Sequence, residues 1–384
     1  MFKKAIFATA ALSFAALASA GVAQAADLPV KAVKPVKDIP FFLVIDDRVT
    51  YSWMPNGTDP GAFSLKPNGS GFNGNTAKSV YSFTHFDVWQ YGTNFFTISM
   101  FKSDHNDPAA PCTGATLNST QNSATIGGFN TVCAGATEFY GLFRSTLGWN
   151  ELFGTKQFTM GPLHNISFEW GADYETENSF LAPAKRDFVA GLQFAFDLPY
   201  KGYINVAPLA YKEINHNAFD SCGLFSPGIP GVNCLADGNT KFHTTWAVEI
   251  GYYMDLGFLP ENMQFFSISG RAGFYGPKGD SNAPLIGTGV AQFSTASKTE
   301  INSEPIRLTF DASKAFMGAK YSHFVDLWVA YRYWQNKFGL DHNATSGPAG
   351  SGLGVCNITT AGGQVVSTNS CTEQTVYAGV TVKV

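Results

Sequence analysis

The residues of this chain best placed to do chemistry are ionisable and aromatic side chains set at every second position between apolar ones. Asp46, Arg48, Glu169, Asp173, Glu175, Glu249, Arg271, Arg307, Asp311, Asp326, Arg332 and Lys383 all fall on the polar side of such alternation. On the same side lie Tyr253, Tyr275, Trp328 and Trp334. Flat rings beside charged groups give surfaces on which a base or sugar stacks while its hydroxyls are hydrogen-bonded, which is chemistry of recognition. The competing reading is that the charges pair with one another and close the space between them. Both signs occur in similar number in this set, which contradicts the strongly cationic lining that acidic oligosaccharides would demand. Catalysis would need a nucleophile, a base and an acid around one point. Of the seven histidines, His105, His216 and His342 fall between alternating segments, His164 and His323 near turns, His243 just before a segment and His85 within one. None sits in a recognised catalytic motif, so the chain reads as neither an enzyme nor a cofactor binder.

Six cysteines fall as Cys112 and Cys133, Cys222 and Cys234, and Cys356 and Cys371, each pair within one long connection. Sequence alone permits about 15 pairings, and an oxidising compartment with short separations favours the three local ones. None forms a Cys-x-x-Cys pair, which speaks against a zinc site, and no metal is expected.

The elements that must position these residues are strands, because only a strand sends neighbouring side chains to opposite faces. In Ile166 to Glu175, one face reads Ile166, Phe168, Trp170, Ala172, Tyr174 and the other Ser167, Glu169, Gly171, Asp173, Glu175. Thr245 to Asp255 and Val325 to Trp334 repeat the pattern. The other segments are Leu43 to Trp53, Val80 to Trp89, Asn94 to Ser103, Glu138 to Thr146, Asp187 to Phe196, Tyr203 to Lys212, Phe265 to Tyr275, Pro305 to Asp311 and Thr375 to Val384, which makes about twelve. Tight connections at 90–93 and 197–202 alternate with long ones rich in Gly, Asn, Ser and Thr, the asymmetry of periplasmic turns and external loops. Two connections break it: 147–165 is long for a turn and 176–186 short for a loop. Pro208 also sits awkwardly inside its strand.

Composition points the same way. Aromatic residues make up 15% and charged residues 14% of the chain, against roughly 25% charged in soluble domains. Lys3 and Lys4, the apolar run Ala5 to Ala18 and Ala23-Gln24-Ala25 read as an export signal over 1–25. Beyond it no segment has the roughly 20 apolar residues of a membrane helix. A membrane chain without such helices must satisfy its backbone between strands. The expectation is therefore an all-β, antiparallel transmembrane β-barrel over 41–384, preceded by a short periplasmic segment over 26–40, in the bacterial outer membrane. Lipid is its solvent, and the formal charge of −4 gives no reason to expect nucleic acid.

The segment His85-Phe-Asp-Val-Trp-Gln-Tyr-Gly-Thr-Asn-Phe-Phe96, followed later by Glu138-Phe-Tyr-Gly141, resembles the opening strands of the nucleoside-specific channel family (Tsx type). That resemblance implies a narrow twelve-stranded pore passing small polar solutes, nucleosides first, by diffusion. The alternative is a structural or adhesive barrel with disulfide-tied loops and a plugged interior. Tyr377, Gly379, Val382 and Val384 match the polar-x-Gly-x-x-apolar-x-apolar ending read by the outer-membrane assembly machinery, with Val in place of the usual Phe. Ala26-Asp-Leu-Pro-Val-Lys31 is similar to the start of outer-membrane proteins from α-proteobacteria.

Overall fold

A computed structural model of the protein describes residues 40–65, 72–104, 107, 116–118, 123–126, 129–132, 135–178, 184–216, 236, 238–279, 298–343, 356–359 and 364–384. Twelve long strands follow one another: β1 (Phe42–Thr58), β2 (Asn75–Trp89), β3 (Gly92–Ser103), β4 (Thr137–Gly148), β5 (Leu163–Glu177), β6 (Ala184–Leu198), β7 (Gly202–His216), β8 (Thr245–Asp255), β9 (Phe266–Tyr275), β10 (Glu300–Asp311), β11 (Val325–Gln335) and β12 (Thr372–Lys383). Each pairs antiparallel with its sequence neighbours. The sheet closes because β12 returns to β1, from Arg48 opposite Lys383 to Trp53 opposite Ala378. A three-residue strand, Asn239–Lys241, adds to the far end of β7. Closure removes the open edge, so backbone donors along the paired stretches of the wall find acceptors on neighbouring strands.

Connections at one end are short. Gln90 and Tyr91 alone join β2 to β3. Between β6 and β7, Tyr200 and Lys201 both take positive φ (57° and 58°) and Gly202 N–H reaches the Pro199 carbonyl at 3.0 Å, the twist that matches a tight hairpin. The long 147–165 connection holds a short helix, α1 (Trp149–Phe153), and β10 passes to β11 through α2 (Ala312–Met317), whose first turn is capped by Asp311. These features mark the periplasmic end.

Three expected boundaries are corrected. β1 runs on to Thr58, past a bulge between Met54 and Gly57 that absorbs Pro55, and β2 begins at Asn75. β10 begins at Glu300, because a bulge between Ser303 and Ile306 shifts the inward positions from even to odd numbers and hides the strand's first half. Pro208 is accommodated because pairing between β6 and β7 lapses between Gly191–Leu209 and Phe194–Val206, so its missing N–H costs no ladder bond there.

The outer face is apolar. Val49, Tyr51, Trp53, Phe139, Phe168, Tyr174, Phe188, Trp246, Leu327, Val329 and Val376 are exposed on it. Aromatic clusters ring the periplasmic end: Phe41 with Phe42 and Trp89, Trp89 with Tyr91, Trp149 with Phe158, Tyr200 with Phe258, and Phe265 with Phe266 and Phe310. Amphipathic rings favour the headgroup boundary, so this girdle sets the inner edge of the bilayer. Among the described residues no helix is long and apolar enough to cross a membrane, and the wall crosses with strands. The protein is an outer-membrane β-barrel.

Candidate functional site

Alternation turns the polar positions into the barrel, and the lumen they line has three levels. At the periplasmic mouth, Arg48 grips Asp46 through two bonds of 2.9 Å and reaches Asp326 at 3.2 Å. Lys383 lies 3.8 Å from Asp46. Tyr253, on β8, donates to Asp255 at 2.6 Å and stacks beside Tyr203 at 6.2 Å between ring centres. Tyr203 is 46% exposed and Arg48 29%, so this level is an open vestibule.

Asp311, His323 and Asp326 place three possible ligand atoms within 4.8 Å of one another beneath this mouth. Their lone pairs are already engaged. Asp311 accepts from the backbone of Lys314 and His323 and from the hydroxyls of Ser313 and Ser322, while Asp326 accepts from Arg48 and faces His323 at 3.0 Å. The group braces α2 against β11, so Asp311, expected as a lining residue, acts as a helix cap. The hydrogen bond to Asp326 raises the pKa of His323 above that of an ordinary imidazole.

At mid-height, Arg144 bridges Asp173 (2.5 Å) and Glu249 (2.6 Å), and Tyr275 donates to Glu249 at 2.9 Å. Glu169 accepts from Gln193 at 2.7 Å. Arg307 binds Glu304 at 2.7 Å and lies 3.9 Å over the Trp328 ring, whose indole N–H is held by Thr381. Arg271 stands apart. It is inward on β9, exposed, and close enough for its charge to be felt at Glu249 and Glu304, yet among the described residues no carboxylate pairs with it.

Towards the outside the charges disappear from solvent. Lys78 joins Asp59 (2.6 Å) and Glu138 (3.0 Å). Glu373 accepts from Arg332, from Lys337 at 3.1 Å and from the Thr58 backbone at 2.9 Å. Trp334 lies 4.9 Å beneath Arg332 and donates to Glu300 at 2.7 Å. Lys185 pairs with Asp187, and Lys278 with Glu213, which is 0% exposed.

The structure thus sets every aromatic and ionisable residue named from alternation on the inner face, at three heights rather than round one point. Beyond the residues named from alternation, Glu138, Glu177, Asp187, Glu213, Glu300, Glu304 and Glu373 join the buried set with the cations Lys78, Arg144, Lys185, Lys278 and Lys337, so both signs remain well represented with a modest excess of acids. Arg144 and Asp187 were readable from the alternation around Phe143 and Phe188. Lys78, Lys278 and Lys337 lie in stretches that read as loop, with no such signal. Among the described residues Glu177 Oε1, Asp187 Oδ1, Glu300 Oε2 and Asn302 Oδ1 are buried acceptors without a described donor.

An apolar groove of about 430 Å³ lies on the other side of the wall, lined by Phe96, Phe143, Ala172, Tyr174 and Phe188 beside Gly141. A Cβ on Gly141 would fall 2.0 Å from the Tyr174 ring. This groove meets lipid, not solute. Of the expected disulfides, Cys356–Cys371 is formed; Cys112, Cys133, Cys222 and Cys234 lie outside the described residues, as does the export signal.

No protein-family model matches this chain, and no curated protein matches it in sequence. Similar solved structures include CdiB from Escherichia coli, 11% identical with a TM-score of 0.34, over 88% of this chain and 63% of that one. TodX, a monoaromatic hydrocarbon channel in a mutant form, is 8% identical with a TM-score of 0.31, over 88% of this chain and 89% of that one. OccAB1 of Acinetobacter baumannii is 10% identical with a TM-score of 0.27, over 90% and 98%. The chain spans less than two thirds of CdiB, and at these scores the likenesses bear no weight on function.

Proposed function

We propose that the barrel passes small polar solutes by diffusion, favouring neutral or cationic molecules rich in hydrogen-bond donors, with nucleosides the leading candidates from the sequence resemblance. The observation that carries this reading is Arg271, an exposed guanidinium facing inward among carboxylates, which marks accessible polar space inside the wall. Solute transport requires binding weak enough to release. Half-exposed Arg48, Tyr203 and Tyr253 supply such weak sites, while the acid excess repels anions.

Purified barrel in planar bilayers tests this. Conductance should be cation-selective, and adenosine or thymidine at millimolar concentration should block it, with the block weakened in Arg271→Ala. An anion-selective current removes the electrostatic argument, and conductance indifferent to both nucleosides removes the nucleoside assignment. The buried charges of the external level favour a second reading, a plugged barrel serving structure or adhesion through its loops. Complete absence of conductance selects it.

A further inference from the structure

The wall's outer face carries a polar island where lipid should meet only apolar groups. On β1 the outward positions are Ile45, Asp47, Val49, Tyr51 and Trp53, and on β2 they are Tyr81, Phe83, His85, Asp87 and Trp89, because Asp47 pairs with His85 in an unbroken register between two inward rows. The row continues through Asn94 of β3 and Ser145 of β4, which face Asp87 and Asn94 across the ladder. His85 Nδ1 lies 2.6 Å from Asp47 Oδ1 and His85 Nε2 3.1 Å from Asp87 Oδ2. Asn94 donates to Asp87 at 2.9 Å, and Ser145 donates to Asn94 at 2.7 Å. Asp87 and Ser145 are buried beneath their neighbours, whereas the side chains of Asp47 and His85 are each 32% exposed.

Trp89, a member of the periplasmic girdle, lies below. At about 3.3 Å per residue, Asp87 and His85 sit roughly 7 and 13 Å further along the strand. Tilt shortens this to about 5 and 10 Å of height, inside the edge of the roughly 25 Å apolar band. Phe83, Tyr81, Val49 and Tyr51 lie above. Charged groups facing hydrocarbon are expensive, and their presence asks for a partner. Both imidazole nitrogens face carboxylates, so both can donate only in the imidazolium form, and even then the island keeps one negative charge. Among the described residues no outward cation stands at this height to supply a matching surface on a second copy; Lys102, Arg186 and Lys212 belong to the external ends of β3, β6 and β7.

We infer that Asp47, His85 and Asp87 form a binding site for a phospholipid of the periplasmic leaflet whose headgroup carries an ammonium. The half-exposed Asp47 carboxylate takes the ammonium as a charge-assisted hydrogen bond. The headgroup lies at the girdle, and the acyl chains run up the column of Phe83, Tyr81 and Tyr51. The site is independent of what passes through the lumen.

The test uses the full-length mature barrel in nanodiscs containing equal phosphatidylethanolamine, phosphatidylglycerol and phosphatidylcholine, with co-retained lipid measured by native mass spectrometry after mild delipidation. Phosphatidylethanolamine should be enriched over phosphatidylglycerol by about tenfold, equivalent to ~1.4 kcal/mol, with phosphatidylcholine between them because it has the charge but no N–H. Asp47→Asn, which keeps the shape, should abolish the enrichment while heat-modifiable migration in gels shows the barrel folded. Equal retention of the three lipids overturns the proposal whether or not the variant folds, as does enrichment that persists in folded Asp47→Asn. A stable oligomer that Asp47→Asn dissolves, without lipid preference, also overturns it and assigns the island to self-association.

Discussion

The two halves of the lumen use the same residue types to different ends. At the periplasmic mouth Arg48, Asp46 and Tyr203 are part-exposed, and their bonds form at the edge of water. Near the external end Lys78, Glu373, Lys337 and Glu213 are all but removed from solvent, and each carboxylate answers more than one donor or cation. Pairs at the mouth are screened and weakly held, which suits transient contact with a solute. Buried pairs have given up hydration and depend on their partners, which makes them structural and unforgiving. Position along the strand, rather than residue identity, divides the loosely held charges from the structural ones.

Glu373→Ala should break that contrast most severely. It leaves Arg332, Lys337 and the Thr58 N–H without their shared acceptor, and stranding buried charge in this way costs ~3–5 kcal/mol. Asp46→Ala at the mouth should cost no more than ~1 kcal/mol, the range of an exposed pair. Urea titration in lipid vesicles, followed by tryptophan fluorescence, compares them directly. Equal losses would mean that the external level is as hydrated as the vestibule.

The Cys356–Cys371 bond acts beside the same buried pairs, since the Lys337 N–H bonds to the Cys371 carbonyl at 3.1 Å and the Thr368 N–H to the Cys356 carbonyl at 2.9 Å. By loop-closure entropy, a cross-link over about 15 residues is worth ~3 kcal/mol. Cys356→Ser with Cys371→Ser should therefore lower the unfolding midpoint by less than Glu373→Ala and leave periplasmic-mouth properties unchanged. A loss of nucleoside block in this double variant would show that the loop shapes the solute path.

Twelve strands and their inward faces were legible because alternation is a property of each strand by itself. Ile166 to Glu175 needs no neighbour to declare which face is wet. What failed depended on register between strands or on irregularity within one. The bulge at Ser303–Ile306 reverses parity and conceals Glu300 and Glu304, and the bulge after Met54 made Pro55-Asn56-Gly57 look like the end of a strand. Lys78 and Glu138 meet because β2 and β4 flank β3, while Asp59 comes from beyond β1. Asp47 and His85, separated by 38 positions, are neighbours only through the β1–β2 pairing. Asp46-Asp47-Arg48 reads as a polar cluster in which the middle residue's outward direction carries no special mark.

The smallest expected effect sharpens the boundary between mouth and periplasm. His323 precedes β11, with its ring held between Asp326, Asp311 and the Tyr253 hydroxyl. Its pKa is raised, first by the hydrogen bond to Asp326. Protonated His323 is therefore favoured in the folded barrel. Its contribution is whole below about pH 6.5, the ordinary imidazole value, and is lost as pH climbs through the raised folded value. With the side chain 28% exposed, solvent screening holds this to less than ~1 kcal/mol. A proton NMR titration in detergent should place the His323 midpoint above the ordinary imidazole value of about 6.5, and His323→Gln should remove the matching pH dependence of unfolding. A midpoint at or below that ordinary value would show that water, rather than Asp326, sets the charge of this ring, and the vestibule would then extend down past α2.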